Sequence, residues 1–306
     1  MTNNHASMSK PSALRLNNPV FLSAFFFLWA LALWLVPDSL EMFGDYARFA
    51  LLGVTGAIFA NSTGAGGGVV FIPMFNQLGF SEAQSVATSF AIQCFGMTAG
   101  ACTWVLHYRN GQKELQLWRS FIPLIALASV FSITGIWTVY GLGFSAPASL
   151  HVSFSVFSVL LGLCILITVY RYQRGRERSR LGRMDIIALV IISYVGGGIT
   201  AWLSVGVGEL VAIYLILRRF DVTLAVAVAV VVTALTVWAA APMHFVINPQ
   251  AYWQVVLFAG PGAVIGGIIA KTLVSYLSAR KLKIFFAFWL LVMGASGLPA
   301  INLALG

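Results

Sequence analysis

The chain has 306 residues, of which 59% are hydrophobic and 9% are charged, and its formal net charge is +9. A soluble domain carries about 25% charge, and the mean hydropathy here is +0.90, which excludes a soluble globular fold and indicates a polytopic membrane protein. A nucleic-acid partner is excluded too, because the basic residues sit in short loops between apolar runs, where they set topology.

The first apolar run covers residues 20–36, after a polar segment with Lys10 and Arg15. Ala30-Leu31-Ala32 has the look of a signal-peptidase site, but the long leader favours a retained helix. A mostly acidic loop with Asp38, Glu41, Asp45 and Arg48 is expected next. Residues 49–63 are apolar and run into Gly64-Ala65-Gly66-Gly67-Gly68. Each glycine costs roughly 1 kcal/mol against alanine inside a helix. In a membrane such a cluster breaks the helix and frees backbone groups to meet a ligand, provided they line a cavity.

Residues 69–78 are apolar again. Ser81 reads as an N-cap with Glu82 in the first turn of a long helix ending near residue 106. Spans at 120–140 and 149–170 follow the polar loop 107–119. The stretch 171–183 holds six arginines and one glutamate and reads as a cytoplasmic linker; a lipid-headgroup or regulatory role is the sharper alternative.

The second half repeats the first. Residues 186–203 are apolar, 204–209 form a second break, 210–217 are apolar, and spans follow at 222–245, 252–270 and 284–299. Setting Gly64 on Gly206 and Gly66 on Gly208 gives a constant offset of 142, which also pairs Ser81 with Thr223 and Ala83 with Ala225. If each break is a hairpin and the N-terminus lies inside, every one of the 18 basic residues except Arg48 falls on the cytoplasmic face. If each break is a single pass, the basic loops at 107–119 and 171–183 move outside, against the positive-inside rule. The hairpin arrangement makes the two halves opposite in topology, so the tips should meet near the midplane.

The expected fold is therefore an all-α polytopic membrane protein. It is an inverted repeat of two four-element halves, each opening with a glycine-broken helical hairpin, plus one extra N-terminal helix. The divisions are an N-terminal cytoplasmic segment at 1–19, the extra helix at 20–36, the first repeat at 46–170, the basic linker at 171–185 and the second repeat at 186–306.

Broken-helix N–H groups bind anions through partial positive charge. The first tip offers Asn61, Ser62, Thr63, Gly64, Gly66, Gly67 and Gly68, and the second offers Ser204, Gly206 and Gly208. Thr88, Ser89 and Gln93 lie on the helix after the first hairpin, and Ser89 and Gln93 share a face. The bland alternative is that the hydroxyls cap their own helices and the glycines allow close packing. Glu209 is the only acidic residue deep in an apolar run, so it is a candidate proton carrier or a structural cap of the second break. No lysine or arginine lies deep in a span, so an anion would be held by dipoles and hydroxyls.

Cys94, Cys102 and Cys164 lack metal-ligand spacing and read as small buried hydrophobes. Trp34, Trp104, Trp118 and Trp253 read as interfacial anchors, Trp202 and Trp238 as deeper packing or pathway residues, and the four histidines as interfacial or solvated. No cofactor or metal is expected.

The stretch 56–89 carries G-A-I-F-A-N-S-T-G-A-G-G-G-V-V-F-I-P and then A-T-S. It resembles the sulfite exporter family of the TauE/SafE type in its glycine cluster, Pro73 and Thr88-Ser89. Gly260-Pro261-Gly262 through Gly266-Gly267 to Leu282 is similar to that family's closing repeat. The second half departs from the pattern: Glu209 and Leu210 stand where glycines would be expected, and Leu215 where Pro73 stands in the first half. The resemblance, over about residues 48–300, implies a multi-pass permease of the cytoplasmic membrane for sulfite, a sulfonate or a related small organic anion. It implies alternating access driven by protons or membrane potential. The partners expected are that anion and the bilayer; homo-oligomerisation is left open. Competing readings are a membrane-embedded enzyme, for which no H-E-x-x-H, paired intramembrane carboxylates or nucleophile elbow is found, and a non-transporting assembly subunit, which leaves the polar glycine tips without a use.

Overall fold

The computed structural model describes residues 19–36, 39–146, 149–171, 178–276 and 279–296. The N-terminal segment, residues 172–177 of the basic linker and residues 297–306 lie outside the described residues. The described residues form twelve α-helices. These are α1 (Pro19–Trp34), α2 (Ser39–Tyr46), α3 (Phe49–Thr63), α4 (Gly68–Gln77), α5 (Glu82–His107), α6 (Phe121–Leu142), α7 (Leu150–Arg171), α8 (Arg183–Leu203), α9 (Val207–Leu217), α10 (Val222–Pro242), α11 (Trp253–Tyr276) and α12 (Ala279–Ser296). In a bilayer a helix satisfies its own backbone, which is why even α10, a run of valine and alanine, stays helical. The protein is an all-α polytopic membrane protein, with 6 helices among the described residues long and apolar enough to cross a membrane.

The expected acidic loop instead contains α2. Eight residues are too few to hold a helix in isolation. Packing supplies the rest: Met42 and Tyr46 join an apolar cluster under α11, and the Phe43 ring meets Phe258 edge-on at 5.8 Å. Helix α5 begins where the sequence places it. Ser81 accepts from the Gln84 N–H at 3.2 Å, and the Gln84 side chain returns to the Ser81 N–H at 3.3 Å.

Both glycine breaks are chain reversals. Gly56 on α3 lies against the ring of Phe71 on α4, and a Cβ at Gly196 on α8 would come 2.9 Å from the Val207 Cα at the start of α9. Helices α4 and α9 have 10 and 11 residues. They are thus roughly 15–16 Å long, about half of a hydrocarbon core near 30 Å.

The helices pair in a regular way. Helix α3 packs on α11 and α8 on α6; α5 packs on α11 and α10 on α6; α5 meets α10, and α7 meets α12. Exchanging the set α3–α7 for α8–α12 carries these pairings onto themselves. Small residues let the backbones approach. A Cβ at Gly53 would drive into the Ala259 carbonyl across the α3–α11 contact, and one at Gly197 into the Ser132 carbonyl across α8–α6. Gly53→Val should therefore force α3 and α11 apart and destabilise the fold by about 1–3 kcal/mol. A lowered thermal midpoint in detergent would register this; an unchanged midpoint would show that the helices part without cost.

Several side chains sit elsewhere than expected. Trp104 and Trp118 are buried rather than interfacial, because α5 runs on through a π turn at Tyr108–Gln112 and so carries Trp104 below the helix end. His244 is not solvated: its ring stacks on Phe90 at 4.4 Å, and its Nε2 pairs with the Tyr140 hydroxyl at 2.9 Å. Cys94 is buried, but Cys102 and Cys164 are exposed on the outer surface of the bundle. Trp202 donates to the Phe144 carbonyl, and Trp238, exposed on the surface, donates to Thr98 Oγ1.

Candidate functional site

The two breaks meet. Helix α3 ends at Gly64, whose φ of 82° is left-handed and favours a residue without a Cβ. Helix α8 ends at Ser204 with φ 57°, and Gly206 follows at φ 149°. A left-handed serine costs of order 1–3 kcal/mol and persists where its surroundings over-determine it. Here Gln93 Nε2 donates to both the Ser204 carbonyl (3.1 Å) and Ser204 Oγ (2.8 Å), and Ser204 Oγ donates to Ser89 Oγ at 2.9 Å. The tips touch through backbone: a Cβ at Gly68 would come 2.5 Å from the Ser204 carbonyl, and one at Gly208 would strike the Gly64 carbonyl.

Glu209 stands at the centre. It occupies the third position of α9 and reaches back, so that the Gly206 N–H donates to its Oε2 at 2.9 Å. The Gly66 N–H of the first tip donates to its Oε1 at 2.7 Å. One carboxylate thus joins the N-terminal ends of α4 and α9, and the residue is 2% exposed. Among the described residues no cation pairs with it. The carboxylate instead takes the partial positive charge of two helix starts. The glycine pattern alone suggests that these dipoles are free. In the structure Glu209 holds Gly66 and Gly206, and Gln93 Oε1 accepts from the Gly67 N–H at 2.8 Å.

The sequence-derived set divides in two. Thr63, Gly64, Gly66, Gly67, Gly68, Ser89, Gln93, Ser204, Gly206, Gly208 and Glu209 are gathered at the crossing. Asn61, Ser62 and Thr88 are not. Asn61 turns toward α5, donating to the Ala57 and Gly96 carbonyls at 2.8 and 3.2 Å, and Ser62 donates to the Ala270 carbonyl at 3.4 Å. Thr88 Oγ1 accepts from the Tyr252 N–H at 2.9 Å, ahead of α11.

A pocket of about 30 Å³ opens beside Glu209, lined by Thr63, Ala65, Ile165, Thr168, Ala212, Ile213 and Ile216. That volume holds a water molecule or two. Three residues are not singled out by the sequence pattern. Thr168 brings a hydroxyl from α7 to the pocket. Thr200 Oγ1 accepts from the Val207 N–H at 3.0 Å and completes the second cap. Thr233 on α10 lies over Gly208, buried and without a hydrogen-bond partner. The signal they share is a hydroxyl within an apolar span.

Gln93→Leu should strip the Gly67 N–H of its acceptor and both Ser204 oxygens of their donor. An unmet buried group costs about 1–3 kcal/mol, so a clear fall in thermal midpoint is expected, and Gln93→Glu should restore only the acceptor side. Equal midpoints for wild type and the leucine variant would remove Gln93 from the crossing.

Two half-length broken helices meet end to end around a buried carboxylate, inside a bundle with membrane-length helices, which is the architecture of polytopic transport proteins. The family description Sulfite exporter TauE/SafE matches residues 49–297, and the chain belongs to that family of membrane transporters. Comparison with curated proteins and with solved structures gives no match.

Proposed function

We propose that the protein is a secondary transporter carrying a small sulfur-containing or organic anion, such as sulfite or a sulfonate, across the cytoplasmic membrane by alternating access. The observation that carries this reading is the meeting of Gly66 and Gly206 across Glu209 at 2.7 and 2.9 Å. Two helix starts aimed at one point make an anion site without a cation. Glu209 is the proton-carrying group, and the two halves are an inverted repeat with the N-terminus in the cytoplasm, a reading that the distribution of basic loops supports. The pocket follows α9 from Glu209 to Ile216, toward Arg218 and Arg219. It therefore faces the cytoplasmic side of the proposed topology.

Purified protein in liposomes should take up radiolabelled sulfite or a sulfonate above the level of empty vesicles. Absence of flux across a panel of such anions, with the protein monodisperse and folded, would defeat the reading. Thr168 Oγ1 donates to the Cys164 carbonyl at 2.7 Å and must turn from it to meet an anion, so Thr168→Val should raise KM by no more than about 2- to 10-fold, the worth of one neutral hydrogen bond, with little change in thermal midpoint; an unaltered KM would exclude Thr168 from the path.

A further inference from the structure

We propose, building on the transport reading above, that the Glu209 carboxylate is a tethered anion occupying the substrate's own site, so that a transported anion binds only by displacing it. At the crossing the Gly66 and Gly206 N–H groups, one from each tip, both donate to Glu209 oxygens. An incoming anion competes with the carboxylate for these two donors, and among the described residues no cation pairs with Glu209 to offset a second negative charge.

The lining says the same. Thr63 of α3, Ala65 of the tip, Ile165 and Thr168 of α7, and Ala212, Ile213 and Ile216 of α9 surround the pocket, and none titrates. Helix α10 presents Val226 and Ala229 to the Gly64 tip and Thr233 to Gly208. On α8, Gly196, Ile199 and Thr200 face the second tip. On α5, Ser89 and Gln93 do so, while Cys94 turns into an apolar cluster. Asp185 and Tyr214 are paired with each other. Glu209 is thus the one carboxylate at the crossing among the described residues, and the uncharged Cys94 thiol packs in the apolar cluster that also holds Ala65 and Val205. A displaced carboxylate has no alternative positive partner there, so it leaves its amides as the acid. The proton comes from the bulk solution, from hydronium or protonated buffer, and rests on a Glu209 oxygen. One proton is taken up for each anion bound.

An independent observation marks the place as a ligand site. Thr233 Oγ1 is buried, 2% exposed as a residue, and has no partner, and it lies where a Cβ on Gly208 would stand. It is an unused donor at the point where the tips cross, available to an oxyanion.

The probe is methanesulfonate, which stays a monoanion from acid to alkaline pH, whereas sulfite itself titrates. Wild-type protein should bind it more weakly as pH rises, by up to about tenfold per unit, the slope of one linked proton. Adding it to wild-type protein in weakly buffered solution should draw up as much as one proton per anion. Glu209→Gln should bind methanesulfonate with little pH dependence and, at pH 8, about tenfold or more tightly than wild type, since the competitor's charge is gone. Binding by wild type without proton uptake would overturn the proposal, as would a Gln variant with the wild-type slope. The proton-uptake measurement uses wild-type protein alone, so it decides the matter even if the variant does not fold. Absence of any anion binding or flux in wild type would defeat the transport reading and this proposal together; binding without proton uptake defeats the proposal alone.

Discussion

Gly208→Val should abolish anion flux. A Cβ at this position meets the Gly64 carbonyl and Thr233 Oγ1 at once. The first of these is backbone and cannot turn aside. Valine would push the tips apart and break the Gly66–Glu209 hydrogen bond of 2.7 Å. A misplacement near 1 Å costs roughly 100-fold in rate at a preorganised site, so flux in liposomes should fall at least that far. The overpacking itself costs about 1–3 kcal/mol, which lowers the thermal midpoint and still permits a folded protein. Gly198→Ala is the control. Its Cβ would find only Val139 Cγ2 at 3.5 Å, and alanine is worth up to about 1 kcal/mol over glycine in a helix. That variant should transport normally and be at least as stable. Normal flux in Gly208→Val would mean that the tips need not touch.

The second large effect lies at the other end of the same hairpin. Asp185 is fully buried at the start of α8. Its Oδ1 accepts from Arg218 Nε at 2.6 Å and from the Tyr214 hydroxyl at 2.9 Å. Its Oδ2 accepts from the Gly182 N–H at 2.9 Å and pairs with Arg178 at 3.3 Å. One carboxylate thus ties both arms of the second hairpin to the end of the basic linker, and the Arg178 N–H adds a bond to the Arg219 carbonyl at 2.9 Å. Breaking a fully buried ion pair costs about 3–5 kcal/mol. The arginines here are 38% and 42% exposed and can turn to water, which reduces the cost to about 2 kcal/mol, mostly from the unmet Tyr214 and Gly182 donors. Asp185→Ala should lower the thermal midpoint by several degrees, and Asp185→Asn by less, since the amide keeps an acceptor. A midpoint equal to wild type in the alanine variant would show the base of the hairpin to be held by packing alone.

Much of the hairpin frame is legible in the sequence. Helix α3 spans the expected residues 49–63, since the first left-handed glycine is an unambiguous stop. The Ser81 cap is equally readable, because N-caps are local chemistry. Helix α2 is not legible, since its stability comes from Phe258, distant in the chain. Helix α8 begins at Arg183 rather than near residue 186 because Asp185 is paired rather than solvated. Thr88 departs from the expected site for a geometric reason: neighbours in a helix point about 100° apart, so Ser89 faces the tip and Thr88 cannot. The deepest gap concerns Glu209. Its place in the second break is readable, but nothing in the spacing joins residue 209 to the Gly66 amide of the other half. That contact exists only once two reversals cross.

The most direct measurement is a cryo-EM map of the protein in a lipid nanodisc with methanesulfonate at saturating concentration and acid pH. Anion density is expected between the Gly66 and Gly206 N–H groups, with the Glu209 side chain turned off both. Density at any other place, or a Glu209 carboxylate still bridging the two glycines beside a bound anion, would contradict displacement of the carboxylate by substrate.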